Sequence, residues 1–340
     1  MSDIVKSSLT ALIAGERPSP SAIQACFTAI MDGDVGEAQM AAFLIALKMR
    51  GEQVDDIAAA ASVMRNKALT IQASDDAMDI VGTGGDGFGT YNISTASAFV
   101  IAGCGIPVAK HGNKAVSSKS GAADVLSALG IKLDCDMALV ERALAEANIA
   151  FLMAPRHHAA MRHVAPVRAA LGVRTIFNLL GPLSNPALVK RIMVGVFDQS
   201  YCAPFAHVLA RLGTSHAWVV HGADGLDEVS TTGKTHVAAL VDGKVSEFTI
   251  SPEDIGLPTA RLDQLRGGDG DHNARYLRAL LEGETGPYHD IVLFNAAAAL
   301  VAGGHVADIQ QGAEMAKESI DSGKALAALD GLIAITNGKA

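Results

Sequence analysis

Apolar positions along the chain follow two successive rhythms. Up to about residue 65 they recur at helical spacing. Ile23, Cys26, Phe27, Ile30 and Met31 line one side of a segment that starts at Ser19-Pro20, a serine cap with a proline in the first turn. A second run, AQMAAFLIALKMR, stops at Gly51, and a third covers Val54 to about Lys67. Helices with no strand between them predict a small all-helical domain, residues 1–68. The apolar faces exceed what three short helices hide among themselves, which predicts a contact with a second copy of the chain.

Near Asp79 the rhythm changes. DIVGTGG, IPVAKHG, IAFLMAP, RIMVGVFD and AWVVHGADG are short apolar runs that end in glycine or polar residues. TASAFVIAG, AADVLSALG, ALVERALAEA and APFAHVLARL separate them at helical spacing. Unbroken apolar runs alternating with helices predict a mostly parallel central sheet. VAALVDGKVSEFTI predicts a hairpin turning at Asp242-Gly243, and the chain from Asn273 onward is helical again. The expected class is α/β: the helical domain, then a larger α/β domain over residues 69–340.

Composition narrows the function. At roughly 150 residues per domain, 340 residues fit one large or two moderate domains. A formal charge of -9 with no compensating basic stripe argues against nucleic acid and acidic membranes as partners. The four cysteines, Cys26, Cys104, Cys135 and Cys202, have neither disulfide-framework nor metal-ligand spacing, so a reducing, cytoplasmic setting is expected. The first residues lack the pattern of a secretion signal, and the longest apolar stretches are too short and interrupted to span a bilayer.

Four segments carry candidate chemistry. The first runs from Asp79 to Thr95, a strand entering a glycine-rich loop and then a helix near Asn92. Glycines admit an anion close to backbone N–H groups, and the helix start adds its positive dipole end. The segment is no Walker A loop, since no Gly-Lys-Ser/Thr follows, and Asp86 sits badly for a dinucleotide fingerprint. The second, Lys110 to Gly121, holds three lysines, three serines and two glycines after another strand. Its lysine at a strand end suits phosphate. Two anion loops after neighbouring strands suggest a ligand phosphorylated at two ends. The third, Val219 to Thr232, carries the adjacent acids Asp227 and Glu228, which facing a polyphosphate would hold Mg²⁺; alone, they read as an ordinary acidic loop. The fourth, Met153 to Pro186, holds His157, His158 and His163 at spacings that disfavour a zinc helix, and four arginines in apolar surroundings. An arginine so placed can grip a carboxylate with two parallel bonds, whereas Arg156 and Arg162 read as surface residues.

DIVGTGGD, NIST, KHGN with SSKSG, HVAPVR, RTIFNLLGPL and DGLDE, in this order over nearly the whole chain, resemble the anthranilate phosphoribosyltransferases. Pyrimidine nucleoside phosphorylases share that fold but differ in the lysine loop and lack the arginine segment and the acid pair. The resemblance implies a discontinuous helical domain, with a segment near 160–185 returning to it, and a homodimer built through the helical domains. It implies transfer of the phosphoribosyl group of phosphoribosyl pyrophosphate (PRPP) to the amine of anthranilate, with Mg²⁺ as cofactor and two ions expected. By motif, Gly82, Gly85, Asp86, Thr90, Asn92, Ile93, Ser94 and Thr95 would line the PRPP site. So would Lys110, His111, Gly112, Asn113, Lys114, Ala115, Val116, Ser117, Ser118 and the position of Ala122. Ser94, Asp227 and Glu228 would contact the metal; Gly82, Asn113 and Arg168 would contact anthranilate; His111, His158 and Pro182 would line its tunnel. Arg168, Lys110, Asp227 and Glu228 are the residues expected to carry catalysis. Two positions depart from the family pattern: Ala122 replaces a serine, and Ala159 replaces a proline. The alternatives are a nucleoside phosphorylase of the same fold, or a non-catalytic relative that binds nucleic acid.

Overall fold

The computed structural model describes residues 3–114 and 119–339. Seven strands form one sheet in the order β3-β2-β1-β4-β5-β6-β7. They are β1 (Met78–Gly82), β2 (Val108–Gly112), β3 (Ile149–Met153), β4 (Arg191–Gly195), β5 (His216–Gly222), β6 (Thr235–Val241) and β7 (Lys244–Ile250). β1 to β5 are parallel, and β5, β6 and β7 are antiparallel neighbours. The β6–β7 hairpin turns at Asp242-Gly243 as predicted, both residues having positive φ, 46° and 82°. After β1 the chain steps outward through β2 and β3, then returns to place β4 on the other side of β1. That reversal opens a crevice at the carboxyl ends of β1 and β4, the usual ligand position in open parallel sheets.

Alternating strand residues feed opposite cores. Ile80, Met193, Trp218 and Val220 face the helices Ile93–Gly103, Pro287–Ala302 and Lys324–Thr336. Ile192, Val194, Ala217 and Val219 face the helix Cys202–Arg211 and join a core that continues into the N-terminal helices. There are four of those, Asp3–Ala14, Pro20–Asp32, Glu37–Arg50 and Val54–Asn66; the first had no distinct sequence signal. Pro20–Asp32 forms for the reasons read from sequence: Ser19 Oγ accepts from the Ala22 N–H at 3.2 Å, Pro20 leads the helix, and Gly33 closes it at φ 83°.

The apolar excess of these four helices is met largely within the chain. Val164, Val167, Ile176, Phe177, Leu179, Leu180 and Leu183 share their core. The Phe27 ring packs edge-on against Phe43 at 6.0 Å and Phe177 at 5.7 Å. Each such burial stabilises by about 1.5–3 kcal/mol. Arg65 adds a polar clamp, its guanidinium donating to the carbonyls of Leu183 (2.6 Å) and Leu212 (3.0 Å) at the ends of two other helices. Large apolar side chains left exposed on the bundle are few, chiefly Met49 (83%) and Ile13 (72%). Among the described residues no helix is long and apolar enough to cross a membrane.

Candidate active site

The site is assembled on the crevice from three loops. The loop after β1 holds Gly84 and Gly85 at φ 70° and 83°, a left-handed conformation that side-chain-bearing residues adopt at a cost. Beneath it, Gly82 and Gly195 are register partners at the ends of β1 and β4. The Asp227 segment lies directly on both. A Cβ on Gly195 would stand 1.6 Å from the Asp227 carbonyl oxygen, and one on Gly82 would stand 2.4 Å from its carboxylate. Absence of side chains there is what lets the acid pair reach the crevice. Gly195 was missed from sequence, although a glycine ending an apolar run is the signal that could have shown it.

The Gly84 N–H donates to Asp227 Oδ2 at 2.6 Å, and the Ser94 N–H donates to Glu228 Oε1 at 3.2 Å. Glu228 therefore sits at the amino end of the helix Ile93–Gly103. Asp227 is buried and Glu228 partly so, and both carboxyls are pushed well above the ordinary range. For Asp227 burial dominates and the neighbouring Asp86 carboxylate adds to it; for Glu228 burial is joined by the charge of Asp227. Among the described residues no cluster of three or more histidine, cysteine, aspartate or glutamate side chains would enclose a metal. The pair supplies only part of a coordination sphere.

Lys110 is inside β2 rather than at its end. Its ammonium is buried and donates to the Ile80 carbonyl at 2.6 Å and towards Ser94 Oγ at 3.4 Å. Burial lowers its pKa, opposed by Asp79 and Glu228. It is an internal counter-charge to Asp79 and Glu228, not the exposed phosphate cation expected of a strand end. Ile93 likewise has its side chain in the core, leaving only its backbone for a ligand. Thr95 is buried, and Asp86 Oδ1 accepts from the Phe88 N–H at 3.2 Å.

Asn92 ties the first two loops together. Its Nδ2 donates to the Ser120 carbonyl at 3.3 Å, and its Oδ1 accepts from Asn273 Nδ2 at 2.8 Å. Thr90 is bridged to Arg266 on the outer side of the glycine loop. Asn113 and Lys114 are exposed, and Gly112 ends β2 against the Phe151 ring. Ala115, Val116, Ser117 and Ser118 lie outside the described residues. Ala122 opens the helix Ala122–Ala128.

The returning segment meets these loops at two points. Arg174, not singled out from sequence, donates to the Gly85 carbonyl and stacks over the Phe197 ring at 4.1 Å. His111 Nδ1–H donates to the Gly181 carbonyl at 3.1 Å, next to buried Pro182. The His111 and His158 rings meet edge-to-face at 5.2 Å. Burial drives both imidazoles neutral, to about 3 for His111 and about 4 for His158. Each Nε2 is a buried atom with no hydrogen-bond partner among the described residues. Arg168 is half-buried on the helix Ala165–Leu171, and burial lowers its pKa. Its guanidinium has no acid partner among the described residues. Arg156 is not a plain surface arginine: it donates to the Leu133 carbonyl at 3.0 Å.

This architecture matches known proteins throughout. The profile of the glycosyl transferase family a/b domain matches residues 74–326, and that of its helical bundle domain matches residues 6–68. The anthranilate phosphoribosyltransferase of Azospirillum brasilense is 56% identical over 333 residues, 98% of this chain and 93% of that one. The chain belongs to the anthranilate phosphoribosyltransferase family. The crystal structure of the Thermus thermophilus member superposes with a TM-score of 0.92 at 42% identity, covering 97% of this chain and 99% of that one. The Saccharomyces cerevisiae enzyme in complex with PRPP and Mg superposes with a TM-score of 0.91 at 30% identity, covering 99% of each chain. As a phosphoribosyltransferase the protein is a glycosyltransferase, with the small helical and larger α/β parts, and the mostly parallel sheet, expected from sequence.

Proposed function

We propose that the crevice at the carboxyl ends of β1 and β4 is where the phosphoribosyl group of PRPP passes to the amine of anthranilate, releasing pyrophosphate. The observation that carries this is the desolvated, mutually repelling Asp227–Glu228 pair seated over the glycine loop. Two carboxylates raised by desolvation and by neighbouring acids, Asp86 beside Asp227 and Asp227 beside Glu228, fit a hard divalent cation, which would relieve both effects. With Ser94 they would hold Mg²⁺, two ions in all, and water and phosphate oxygens would complete the coordination that the protein leaves open. When bound, the metal supplies Lewis-acid stabilisation of the departing pyrophosphate. The yeast relative's complex with PRPP and Mg supports this assignment.

The chain's own residues do the rest. Backbone N–H groups of the glycine loop and the amino end of the helix Ile93–Gly103 would face the charge growing on the leaving group as the bond to ribose C1 stretches. Asn92, Asn113 and Lys114 would hold the ribose and phosphates. Arg168 would take the anthranilate carboxylate and aim the amine at C1; its guanidinium lacks an acid partner among the described residues, as a carboxylate-binding group should. The free Nε2 acceptors of His111 and His158 suit an arylamine N–H, and the weakly basic amine needs no strong base before it attacks. A covalent enzyme intermediate is not required: burial pushes all four cysteine thiols up, to about 11 for Cys104 and about 12 for Cys202.

The helical unit of this reading comprises residues 1–68 with the segment near 160–185, and the α/β unit the remainder, in the cytoplasm. A homodimer would form through the bundle face bearing Ile13 and Met49. Light scattering tests this, and a monomer at micromolar concentration overturns it. For the reaction, anthranilate fluorescence should fall on adding PRPP only with Mg²⁺. The double variant Asp227→Asn/Glu228→Gln should be folded and inactive. Full activity of that variant in chelator would overturn the metal assignment.

A further inference from the structure

Asn295 is a fully buried amide in the helix Pro287–Ala302, whose neighbours from Ile291 to Leu300 are otherwise apolar. All of its bonding goes to backbone. Its Oδ1 accepts the Val229 N–H at 2.9 Å, while its Nδ2 donates to the Val229 carbonyl at 2.7 Å and the Ile291 carbonyl at 2.8 Å. Both polar groups of the residue immediately after Glu228 are thus held by one rigid amide. A buried amide with every group satisfied is costly to replace, because truncation leaves backbone groups unpaired.

The same helix also holds the opposite wall of the site. The Tyr288 hydroxyl donates to the Asn92 carbonyl at 3.4 Å, just before Ser94. Ser97, one turn beyond Ser94, has its hydroxyl shared between the Ile93 carbonyl of its own helix at 3.0 Å and the Val292 carbonyl at 3.2 Å. Residues 288, 292 and 295 recur at helical spacing along one side, so a single element sets both arms against each other: the Ser94 arm through Tyr288 and Val292, the acid arm through Asn295.

We propose that Asn295 is the positioning residue for the Asp227–Glu228 pair, fixing the Val229 peptide so that both carboxylates and Ser94 meet one metal–pyrophosphate unit. This rests on the acid pair being the metal site. Asn295 touches no reacting atom; it acts through Glu228.

The test is direct Mn²⁺ binding to the full-length protein with PRPP, read by electron paramagnetic resonance, beside a melting curve. Asn295→Ala should weaken Mn²⁺ about tenfold or more. Asn295→Asp keeps the acceptor for the Val229 N–H and replaces a donor of two hydrogens, serving two carbonyls, by at most one acid O–H, so it tests the idea should the alanine variant not fold. Whether neutral or charged, that carboxyl would not by itself repel a cation, so weaker Mn²⁺ binding by this variant reports geometry. Lower melting temperatures with unchanged Mn²⁺ affinity would mean a purely structural residue and overturn the proposal. Asp227→Asn/Glu228→Gln, measured alongside, should lose Mn²⁺ binding. If it binds Mn²⁺ normally, the metal-site reading itself has failed, and the proposal with it; loss there with wild-type affinity in the Asn295 variants overturns the proposal alone.

Discussion

A half-buried guanidinium without an acid partner among the described residues is the sharpest residue-scale feature outside the acid pair. Arg168 would otherwise be an expensive charge to desolvate, as its lowered pKa records. Arg168→Ala is expected to raise the KM for anthranilate about ten- to a hundred-fold, the loss of a charge-assisted bond of about 1.5–3 kcal/mol, with the KM for PRPP little changed. Steady-state kinetics on both substrates checks this, and an equal rise in both would assign Arg168 a purely structural role on its helix instead. At this scale sequence reasoning singled out the adjacent acids Asp227 and Glu228, which the structure seats over the glycine loop and at the start of the helix Ile93–Gly103. It missed residues whose work is done on backbone. Asn295 and Arg174 bond carbonyls far off in the chain, and no local pattern announces such a partner. The one available hint for Asn295 was an amide interrupting an apolar helix.

At the scale of elements, the two strand ends under Asp227 are the tightest joint in the site. Gly195→Ala must displace the Asp227 backbone, because the added Cβ would sit 1.6 Å from its carbonyl oxygen. The expected cost is about 1–3 kcal/mol of stability, as for overpacking elsewhere, together with a rise in the Mg²⁺ concentration needed for half-maximal rate. Urea unfolding and a Mg²⁺ titration measure the two; normal metal dependence would show that the acid loop tolerates the shift. The strands themselves were legible because a parallel sheet buried on both faces reads as unbroken apolar runs stopping at glycine, as in DIVG and RIMVG. The helix Asp3–Ala14 was not, since only Val5, Ser8 and Leu12 are buried along it.

For the molecule as a whole, acid sensitivity is the sum of opposing buried groups. His111 and His158 are held neutral, with folded pKa values of about 3 and 4 against about 6.5 unfolded. Their folded values are depressed, so the stability they allow is complete above about pH 6.5. It is lost as pH falls towards the folded values, because the unfolded chain takes protons first. Asp79, raised to about 6 by burial, and the raised acid pair act oppositely, favouring the folded state as pH falls. A difference measurement isolates one group. Between pH 7 and pH 5 the stability of wild type relative to His111→Gln should drop by about 2 kcal/mol, 1.36 kcal/mol per pH unit below 6.5. A gap independent of pH would mean that the ring is hydrated in the folded protein. The fold class and the mostly parallel sheet followed from chain rhythm, whereas the strand order, with β4 returning beside β1, came from the structure. The continuity of the bundle core with residues 164–183 did not, because contacts separated by more than a hundred residues leave no periodic trace.

That continuity has a consequence for how the protein is born. Phe27 and Phe43 reach the tunnel exit early, but Phe177 and Leu183, which complete their packing, are translated more than a hundred residues later. At roughly 5–20 residues per second, the ribosome leaves the half-made bundle waiting on the order of 6–25 s with a greasy flank open to solvent. Through that interval the nascent chain is a natural client for a holding chaperone, and a stall upstream of Phe177 strands it there.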